Sequence, residues 1–480
     1  MKRVGWLLLL CTTFILKAQE QFNFKADNYA GINGVLLDPT HNLSNPNNWD
    51  VNIIGVDAFA QNNYSYISDA SLLSLLIKGD LEVAEPINGI TGATRKRTWD
   101  FYSTSEDKDA YVQVDVLGPS GSMRINYHNT IGLFTRARVV ASARNIDSGF
   151  NYYNFNEINF GTPFTADKSD LQGAAWAEIG LNYAKVLKDS KEYKFSTGVN
   201  LKYLIGTDAA YAVNHRRVGA VAEQDTIVFN NLDVEVGVVT GSEMYDEATA
   251  GEYSLKKNGS GLAMDLGFTF EKKKYPTDIL IDTDVTYKWK LNASILDIGR
   301  IKYKNAEVHR YTLDGEQLID FEQAGDTETI EQYFQDLSMQ VYGDSIQSKI
   351  GNDFIIGLPT ALNLNFDYGL SDRWYVKTNI VQRVPVFENS LKRSNVVNVN
   401  GRYQKNWFGI SGGITAYEYQ NVYLGGSLRM GPLTIGSDNF IPIAVPIKEM
   451  KGADFYFALK INSFWDDLWK RHKRRCCPRF

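Results

Sequence analysis

The chain has 480 residues and a formal net charge of −6, and it is rich in Tyr (27), Phe (25) and Gly (39) but poor in Cys (3) and His (5). This length exceeds that of an ordinary β-sandwich and suits one large barrel. The acidic charge argues against nucleic acid as the main partner, and three cysteines cannot form a disulfide framework. After the N-terminus, no apolar run approaches the ~20 residues that a membrane helix requires.

The N-terminal 48 residues divide into two segments. Residues 1–18 predict a secretory signal peptide cleaved after about Ala18, because Lys2 and Arg3 precede an apolar core and a small residue stands at the expected cleavage site. Residues 19–48 are polar and rich in turns, and they show no sustained strand pattern. This segment would plug a barrel lumen, lie against its periplasmic mouth, or form a loosely ordered leader, and the sequence leaves these alternatives open.

Polar and apolar side chains alternate along residues 174–206, on both sides of a short polar break at 188–192. Ile179 and Leu181 fall on one face, and Glu178 and Asn182 fall on the other. A period of two places successive side chains on opposite faces of a strand. The pattern is typical of a transmembrane β-hairpin with an apolar face toward lipid and a polar face toward the lumen. One hairpin of a soluble β-sandwich would look the same.

Similar alternation recurs along the chain and predicts about fourteen strands, an even number as in bacterial barrels. The twelve strands predicted besides the hairpin are 49–66, 110–127 (kinked at 118–119), 130–143, 262–271, 279–298, 362–368, 374–380, 395–404, 407–417, 422–430, 433–437 and 453–461.

The connections between these strands alternate between short and long. The short ones are 128–129, 188–192, 369–372, 405–406 and 431–432, and the long ones are 67–109, 145–172, 207–260 and 300–353. Short periplasmic turns and long external loops characterise membrane barrels, whereas a soluble sandwich gives no reason for this asymmetry. The predicted fold is therefore an all-β transmembrane antiparallel β-barrel of about 14 strands, with long extracellular loops, a plug-like N-terminal segment and both termini in the periplasm.

Two of the long loops contain apolar residues at helical spacing. Leucines at 72, 73, 75 and 76 indicate a short helix, and Ile330, Phe334, Leu337 and Val341 indicate another after a capped start at 326–329. We expect both helices to pack over the barrel mouth or to contact a partner.

Six motifs, distributed over nearly the whole mature chain, carry a resemblance to a known family. They are 33–39 (NGVLLDP), 117–120 (LGPS), 133–138 (LFTRAR), 201–206 (LKYLIG), 431–439 (GPLTIGSDN) and 452–457 (GADFYF). Together they resemble an uncharacterised outer-membrane barrel family of the Bacteroidota, some members of which continue into an OmpA-like peptidoglycan-binding domain. The chain is more distantly similar to fourteen-stranded FadL-like fatty-acid-transporter barrels, which include a type IX secretion component.

The resemblance implies a plugged fourteen-stranded barrel and brings no catalytic residues. No OmpA-like domain is expected in this chain, which ends in a short basic tail. Two functions follow as hypotheses. The FadL-like resemblance implies a barrel that binds or passes small, hydrophobic or amphipathic molecules. The alternative is a structural barrel that holds an envelope or secretion-system partner through its loops or tail. Outer-membrane lipid or lipopolysaccharide is an expected partner in either case, and the oligomeric state is left open.

Charged side chains on the predicted lumen face are the candidate site. They are Arg136, Arg138, Glu178, Lys194, Lys202, Asp265, Asp367 and Lys377. Such groups must be paired or hydrated, since an isolated buried charge is costly. They would form a polar pathway or ligand site, or fill the lumen structurally. The first two share a face, so they could clamp a carboxylate or phosphate, or pair with an acid of the same set.

Catalysis, a cofactor and a metal site are not predicted. The five histidines form no paired motif, and the sequence contains neither a glycine-rich phosphate loop nor a metal-ligand spacing.

The C-terminal segment 464–480 is amphipathic. Trp465, Leu468 and Trp469 would share one helical face, followed by the cations Lys470, Arg471, Lys473, Arg474 and Arg475. This pattern suits a helix on the inner leaflet of the outer membrane, a dock for a periplasmic partner, or a frayed tail. The predicted division of the chain is thus 1–18 signal peptide, 19–48 plug or periplasmic segment, 49–463 barrel and 464–480 basic tail.

Overall fold

A computed structural model describes residues 21–78, 81–83, 97–102, 106–147, 163–222, 227–240, 256–274, 287–320 and 329–463. The predicted signal peptide and basic tail lie outside these residues. The strands are β1 Trp49–Asn62, β2 Ser65–Ala70, β3 Leu81–Val83, β4 Arg97–Phe101, β5 Lys108–Leu117, β6 Ser120–Asn126, β7 Asn129–Ile146, β8 Pro163–Ala166, β9 Asp170–Asp189, β10 Tyr193–Asn214, β11 Val218–Ala222, β12 Ile227–Asn230, β13 Asp233–Val239, β14 Gly259–Lys273, β15 Tyr287–Thr312, β16 Glu316–Ile319, β17 Lys349–Gly357, β18 Ala361–Gly369, β19 Trp374–Arg383, β20 Val396–Gln404, β21 Phe408–Tyr417, β22 Asn421–Met430, β23 Leu433–Ser437, β24 Ile447–Met450 and β25 Gly452–Asn462. The helices are α1 Phe22–Lys25, α2 Leu72–Lys78, α3 Ile330–Tyr342 and α4 Ile441–Ala444, with 3₁₀ helices at Gly31–Leu36 and His41–Leu43.

Antiparallel strands in chain order form a ring that closes because β1 pairs with β25 on one side and with β5 and β6 on the other. The wall has fourteen positions among the described residues. Three positions each hold two strands in line: β5 with β6, β14 with β13, and β18 with β17. The order round the wall is β1, β5/β6, β7, β9, β10, β14/β13, β15, β18/β17, β19, β20, β21, β22, β23 and β25. The predicted fold class and strand number are confirmed.

Two strands of the wall extend into regions that the sequence predicts to be loops. β10 continues to Asn214 and β15 to Thr312, although the sequence predicts loops from residues 207 and 300. In β15 the outward positions change from apolar residues to Arg300, Lys302 and Lys304, all exposed. The alternation of polarity is therefore inverted in this part of the strand, with charged residues outward and the apolar Ile301 and Tyr303 inward, so it no longer matches the pattern of a lipid-facing strand. In the other direction, the first predicted strand ends at Asn62, and residues 65–70 leave the wall to form β2.

The outward face of the wall is apolar. Side chains pointing away from the lumen include Leu133, Leu181, Leu201, Leu291, Phe366, Ile380, Ile414 and Ile461, each more than a third exposed. Outward aromatic rings form a chain near the rim that carries the short turns, which we call the short-turn rim. Tyr193, Phe270, Trp289 and Phe366 lie on successive wall strands, with ring centroids 5.3, 5.7 and 6.3 Å apart. An apolar band with an aromatic girdle is the surface of a transmembrane barrel. Among the described helices, none is long and apolar enough to cross a membrane.

Residues 21–48, which we call the plug, lie inside the ring. The plug contains no strand; its short helical turns satisfy part of its backbone, and side chains of the wall bond further backbone groups. Asn182, Asn200 and Asn363 each donate a side-chain hydrogen bond to a plug carbonyl, at 2.9, 2.9 and 2.8 Å. Asp50 and Asp438 accept hydrogen bonds from plug amides at 3.0 and 2.8 Å. The sequence left three alternatives open for this segment, and in the structure residues 21–48 occupy the lumen.

The opposite rim, which we call the long-loop rim, carries two further sheets. β8, β11, β12 and β16 form one, and β2, β3, β4 and β24 form the other. Both predicted loop helices are confirmed. α3 buries Phe334, Leu337 and Val341 against the first of these sheets, and Gln332 N donates to the N-capping Thr329 Oγ1 at 3.2 Å. In the second sheet, burial and a hydrogen bond to Asp100 raise the pKa of Tyr66 to about 12, so its hydroxyl stays protonated.

Candidate lumenal site

The half of the lumen nearer the short-turn rim is lined by amides and hydroxyls that form cross-strand rows. In one row, Thr269, Asn292, Asn365, Asn379, Asn398 and Thr415 stand on six neighbouring strands. Asn365 Nδ2 donates to Asn292 Oδ1 at 2.9 Å, and Asn398 Nδ2 donates to Thr415 Oγ1 at 2.8 Å. The row also holds the plug, since Asn292 Nδ2 donates to Asp38 Oδ1 at 2.8 Å. Most of these polar groups are therefore satisfied by the wall or the plug.

Eight charged side chains form one network midway along the lumen. Four cations meet four carboxylates, and every member is nine-tenths or more buried. The members are Arg136, Arg138, Lys202 and Arg393, with Asp115, Glu178, Asp265 and Asp297. The formal charges cancel, which is the condition for holding so many ions out of water.

Asp297 is the centre of the network. Its carboxylate accepts from Arg138 Nη1 at 2.9 Å and from Lys202 Nζ at 2.6 Å, and it lies 3.4 Å from Arg393 Nη2. Arg136 Nε bonds both carboxylate oxygens of Asp115, at 2.7 and 2.8 Å. The two predicted arginines therefore clamp protein carboxylates, one of the alternatives that the sequence left open.

A bulge places Asp297 in the lumen. Met264 pairs with Ile298 and Leu266 pairs with Ile295, so β15 has two residues opposite the single residue between Met264 and Leu266. Asp297, one of the two, adopts a left-handed backbone (φ 57°). Its amide donates to Asp265 Oδ1 at 2.6 Å. Both Leu296 and Asp297 are consequently buried, although neighbours in a regular strand face opposite ways.

The remaining predicted site residues also face the lumen. Lys194 pairs with Glu271, and Arg402 Nη2 donates to Asp367 Oδ2 at 2.7 Å. Lys377 stands directly across from Asp367 on the next strand. All eight predicted residues are thus buried, and five of them belong to the central network.

Five contributors were missed by sequence reasoning. Asp115, Glu271 and Arg402 lie on the polar faces of three predicted strands, so the alternation could have found them. Arg393 precedes a strand, and Asp297 sits in a bulge, so neither carries such a signal.

Beyond the network, toward the long-loop rim, the lumen is lined by apolar side chains. This apolar layer consists of inward residues of nine or more strands, including Phe59, Tyr111, Val140, Trp176, Leu204, Tyr211, Ile301, Tyr303, Phe354 and Val396, all nine-tenths or more buried. The Phe354 ring lies 5.5 Å from Tyr303 and 5.1 Å from Tyr211. Arg138 lies 4.9 Å from the Trp176 ring centre, so a charged floor closes the layer on its inner side.

A small polar cleft, open to solvent, lies at the long-loop rim beside the apolar layer. Arg144 crosses it between Glu418 and Asp109, at 3.0 and 3.5 Å. Glu418 also accepts from Arg383 at 3.2 Å. The cleft is lined mainly by amide and charged side chains, among them Gln61, Asn62 and Gln420.

These features define a transmembrane β-barrel whose lumen holds an internal plug, a neutral ion network and an apolar layer. The chain belongs to the family described as "Family of unknown function (DUF5723)", whose sequence model matches residues 43–438. No curated protein matches the chain. Among the described residues, no group of three or more His, Cys, Asp or Glu could hold a metal ion.

Several solved structures are similar to the chain at low identity. A TodX monoaromatic hydrocarbon channel mutant (deltaS2S3) has 12% identity over 90% of this chain and 94% of that one, with a TM-score of 0.37. The Pseudomonas putida toluene transporter TodX has 12% identity over 90% and 92%, with a TM-score of 0.34. A Pseudomonas aeruginosa FadL homologue has 7% identity over 90% and 94%, with a TM-score of 0.21. At these scores the likeness carries no argument about function.

Proposed function

We propose that this protein is an outer-membrane barrel that binds or passes small hydrophobic or amphipathic molecules. The apolar layer is the observation that carries the proposal. Lumens of membrane barrels are ordinarily polar, and the half of this lumen nearer the short-turn rim follows that rule. A lumen that only had to be filled could be polar throughout. An apolar lining on the side of the long loops is instead a surface that an apolar guest can occupy.

The layer has the composition of a small-molecule site. Apolar and aromatic side chains with a few placed polar groups line most such sites. Burying a guest here would contribute about 25 cal/mol for each Å² of apolar surface removed from water. Tyr303 and Phe354 fill the layer in the present structure, so a guest has to displace side chains or the plug residue Leu37, which packs in the same cluster.

The floor of the layer supports an amphipathic guest. Trp176 faces the apolar side, while its Nε1 donates to Glu178 Oε1 at 2.7 Å. Arg138 lies against the same ring. A molecule with an apolar body and a polar end would match these two environments, which meet at one tryptophan.

Fluorine NMR on the refolded full chain labelled with 5-fluorotryptophan tests binding directly. The Trp176 resonance is assigned with Trp176→Phe, and the outward Trp374 provides an internal control (53% exposed). We expect toluene and dodecanoate to shift the Trp176 resonance saturably. Partition of a probe into the detergent would shift the Trp374 resonance in proportion to the probe concentration. An unmoved Trp176 resonance at probe concentrations that saturate the micelles would overturn the proposal.

The same proposal orients the barrel with the long-loop rim outside the cell and the short-turn rim in the periplasm, after removal of residues 1–18. The division into short turns and long connections supports it. Ile346→Cys at the long-loop rim and Lys191→Cys in a short turn test it, in a chain with Cys476 and Cys477 replaced by Ser. A membrane-impermeant maleimide should label only Ile346→Cys in intact cells and both variants after lysis. The reverse pattern would contradict the orientation.

A further inference from the structure

A second cluster of charges lies in the lumen near the short-turn rim, apart from the neutral network. It belongs to a cross-strand row of alternating charge on β10, β14, β15, β18 and β19. The row runs Lys194, Glu271, Lys290, Asp367, Lys377, each directly opposite the next. Directly opposed unlike charges attract across a sheet. The two carboxylates, however, cannot serve all three lysines and the arginine that reaches the row.

Each carboxylate of the row already has one cationic partner, although Asp367 Oδ1 accepts no hydrogen bond among the described residues. Glu271 pairs with Lys194 and also accepts from Ser44 Oγ at 3.2 Å. Asp367 Oδ2 accepts from Arg402 Nη2 at 2.7 Å and from the Tyr287 hydroxyl at 2.8 Å. These pairings leave the ammonium groups of Lys290 and Lys377 without a carboxylate of the row that bonds to them.

Lys290 and Lys377 are buried without an ionic partner. Their side chains are 2% and 5% exposed, and within the described ranges no carboxylate oxygen lies within 4 Å of either nitrogen. Lys290 Nζ lies 4.9 Å from the Tyr287 ring centre, which compensates only part of its lost hydration. The next carboxylate, Asp38 of the plug, is engaged by Thr40 N at 2.9 Å and by Asn292 Nδ2 at 2.8 Å.

Further buried polar atoms next to the two lysines lack a hydrogen-bond partner. Arg402 Nη1 and His41 Nε2 are buried and have no hydrogen-bond partner among the described residues. His41 belongs to the plug and interacts electrostatically with both lysines and with Arg402. Three cations around one carboxylate leave an excess of two positive charges, or one if Asp38 is counted. Uncompensated buried charge is costly, and buried polar groups ordinarily have partners.

We propose that Lys290, Lys377 and Arg402 form a binding site for a small oxyanion of the phosphate type, between the plug and the wall. The ammonium groups would supply point charges, and the free Arg402 nitrogen would supply a directed hydrogen bond. Asp367 and Lys377 lie within a few residues of the turn at 370–373, so the site lies near the short-turn rim. The anion neutralises the cluster and ties the plug to β15, β18, β19 and β20. This site does not depend on what the apolar layer binds.

Thermal unfolding of the full chain in detergent, with inorganic phosphate replacing chloride at constant ionic strength, tests the site. We expect the Tm of the wild type to rise saturably with phosphate. Lys290→Gln and Lys377→Gln should weaken phosphate binding at least tenfold. Each variant should also have a higher Tm than the wild type in chloride alone, because it removes an uncompensated buried charge. Lys288→Gln, on the outward face of β15, is the matched control and should behave as the wild type.

Two results of the phosphate titration would overturn the proposal. One is a wild-type Tm that responds to phosphate no more than to chloride. The other is a Lys377→Gln variant that phosphate stabilises as much as the wild type. Acetate, a singly charged carboxylate, separates the sources of the ligand: stronger stabilisation by acetate than by phosphate would assign the site to a carboxylate instead and would equally contradict a phosphate site.

Discussion

Phe134 lies flat across Gly180 on the neighbouring strand, in the lumen of the barrel. The two residues are directly paired between β7 and β9, and both are buried. A Cβ atom on Gly180 would overlap the Phe134 ring. The same relationship recurs at three other places, where Tyr211 covers Gly237, Tyr303 covers Gly206 and Gly259, and Tyr456 covers Gly436. Inward aromatic rings therefore use the space that a glycine leaves on the next strand.

Gly180→Ala should lower the free energy of unfolding by about 1–3 kcal/mol, the usual cost of overpacking a filled site. The reason is the overlap with the ring of Phe134, which is fully buried. Urea unfolding of the refolded barrel in micelles measures the change. Gly401→Ala is the control, because nothing lies within 4 Å of the added methyl group. Equal stability of the two variants would show that the ring moves aside at no cost.

Arg138→Met should be much more costly, by about 3–5 kcal/mol, because it leaves Glu178 and Asp297 buried with one cation fewer. Adding Asp297→Asn to the variant should restore part of this loss, since the charges then cancel again. A double-mutant cycle on urea unfolding measures the coupling, for which we expect about 0.5–3 kcal/mol.

The exposed pair Lys302–Asp353 provides the comparison for that experiment. Its nitrogen and oxygen lie 2.7 Å apart, but both side chains are about half exposed. Lys302→Met should change stability by only about 0–1 kcal/mol. A cost for Arg138→Met within this same range would mean that water enters the central network.

The sequence predicts the wall well because one physical rule governs it. Lipid on one side and a polar lumen on the other impose a period of two, so strands such as 130–143 and the faces of Arg136 and Arg138 follow directly. The rule fails where its cause is absent. From Arg300 the polarity of β15 is inverted, with charged residues outward and Ile301 and Tyr303 inward, and at Asp297 a bulge shifts the register by one residue. The partners of a lumenal charge depend on barrel closure, which brings β15 and β7 side chains together across the lumen, and no local pattern encodes that.

Thr329→Ala should loosen α3 without affecting the barrel. Thr329 Oγ1 accepts a capping hydrogen bond from Gln332 N at this helix start, and loss of an N-cap costs about 1 kcal/mol. Amide hydrogen exchange should therefore become about fivefold faster along 330–342. Asp336→Ala, an exposed substitution within the same helix, should leave exchange near the wild-type rate. An equal acceleration in both variants would exclude the cap as the cause.

The position of the plug was left open by its sequence because it lacks a periodic pattern, and many of its partners, such as Asn182 and Asp438, lie on strands more than a hundred residues away. The structure shows one contact that fixes it. Gly198 and Gly267 are directly paired on β10 and β14, and Pro39 lies against both. A Cβ atom on Gly198 would overlap the Pro39 carbonyl, which is backbone and cannot rotate away.

Gly198→Val should therefore displace the plug and raise ion conductance through the barrel. Planar-bilayer recordings of the refolded chain measure this directly, and we expect longer and larger openings than in the wild type. Gly401→Val is the control for adding a valine to a wall strand, since Gly401 is exposed on the outward face of β20 and nothing lies within 4 Å of an added Cβ atom. Unchanged conductance together with a lower Tm would show that the plug shifts locally while the lumen stays closed. Higher conductance in both variants would show that the added valine weakens the wall and that contact with Pro39 is not what holds the plug.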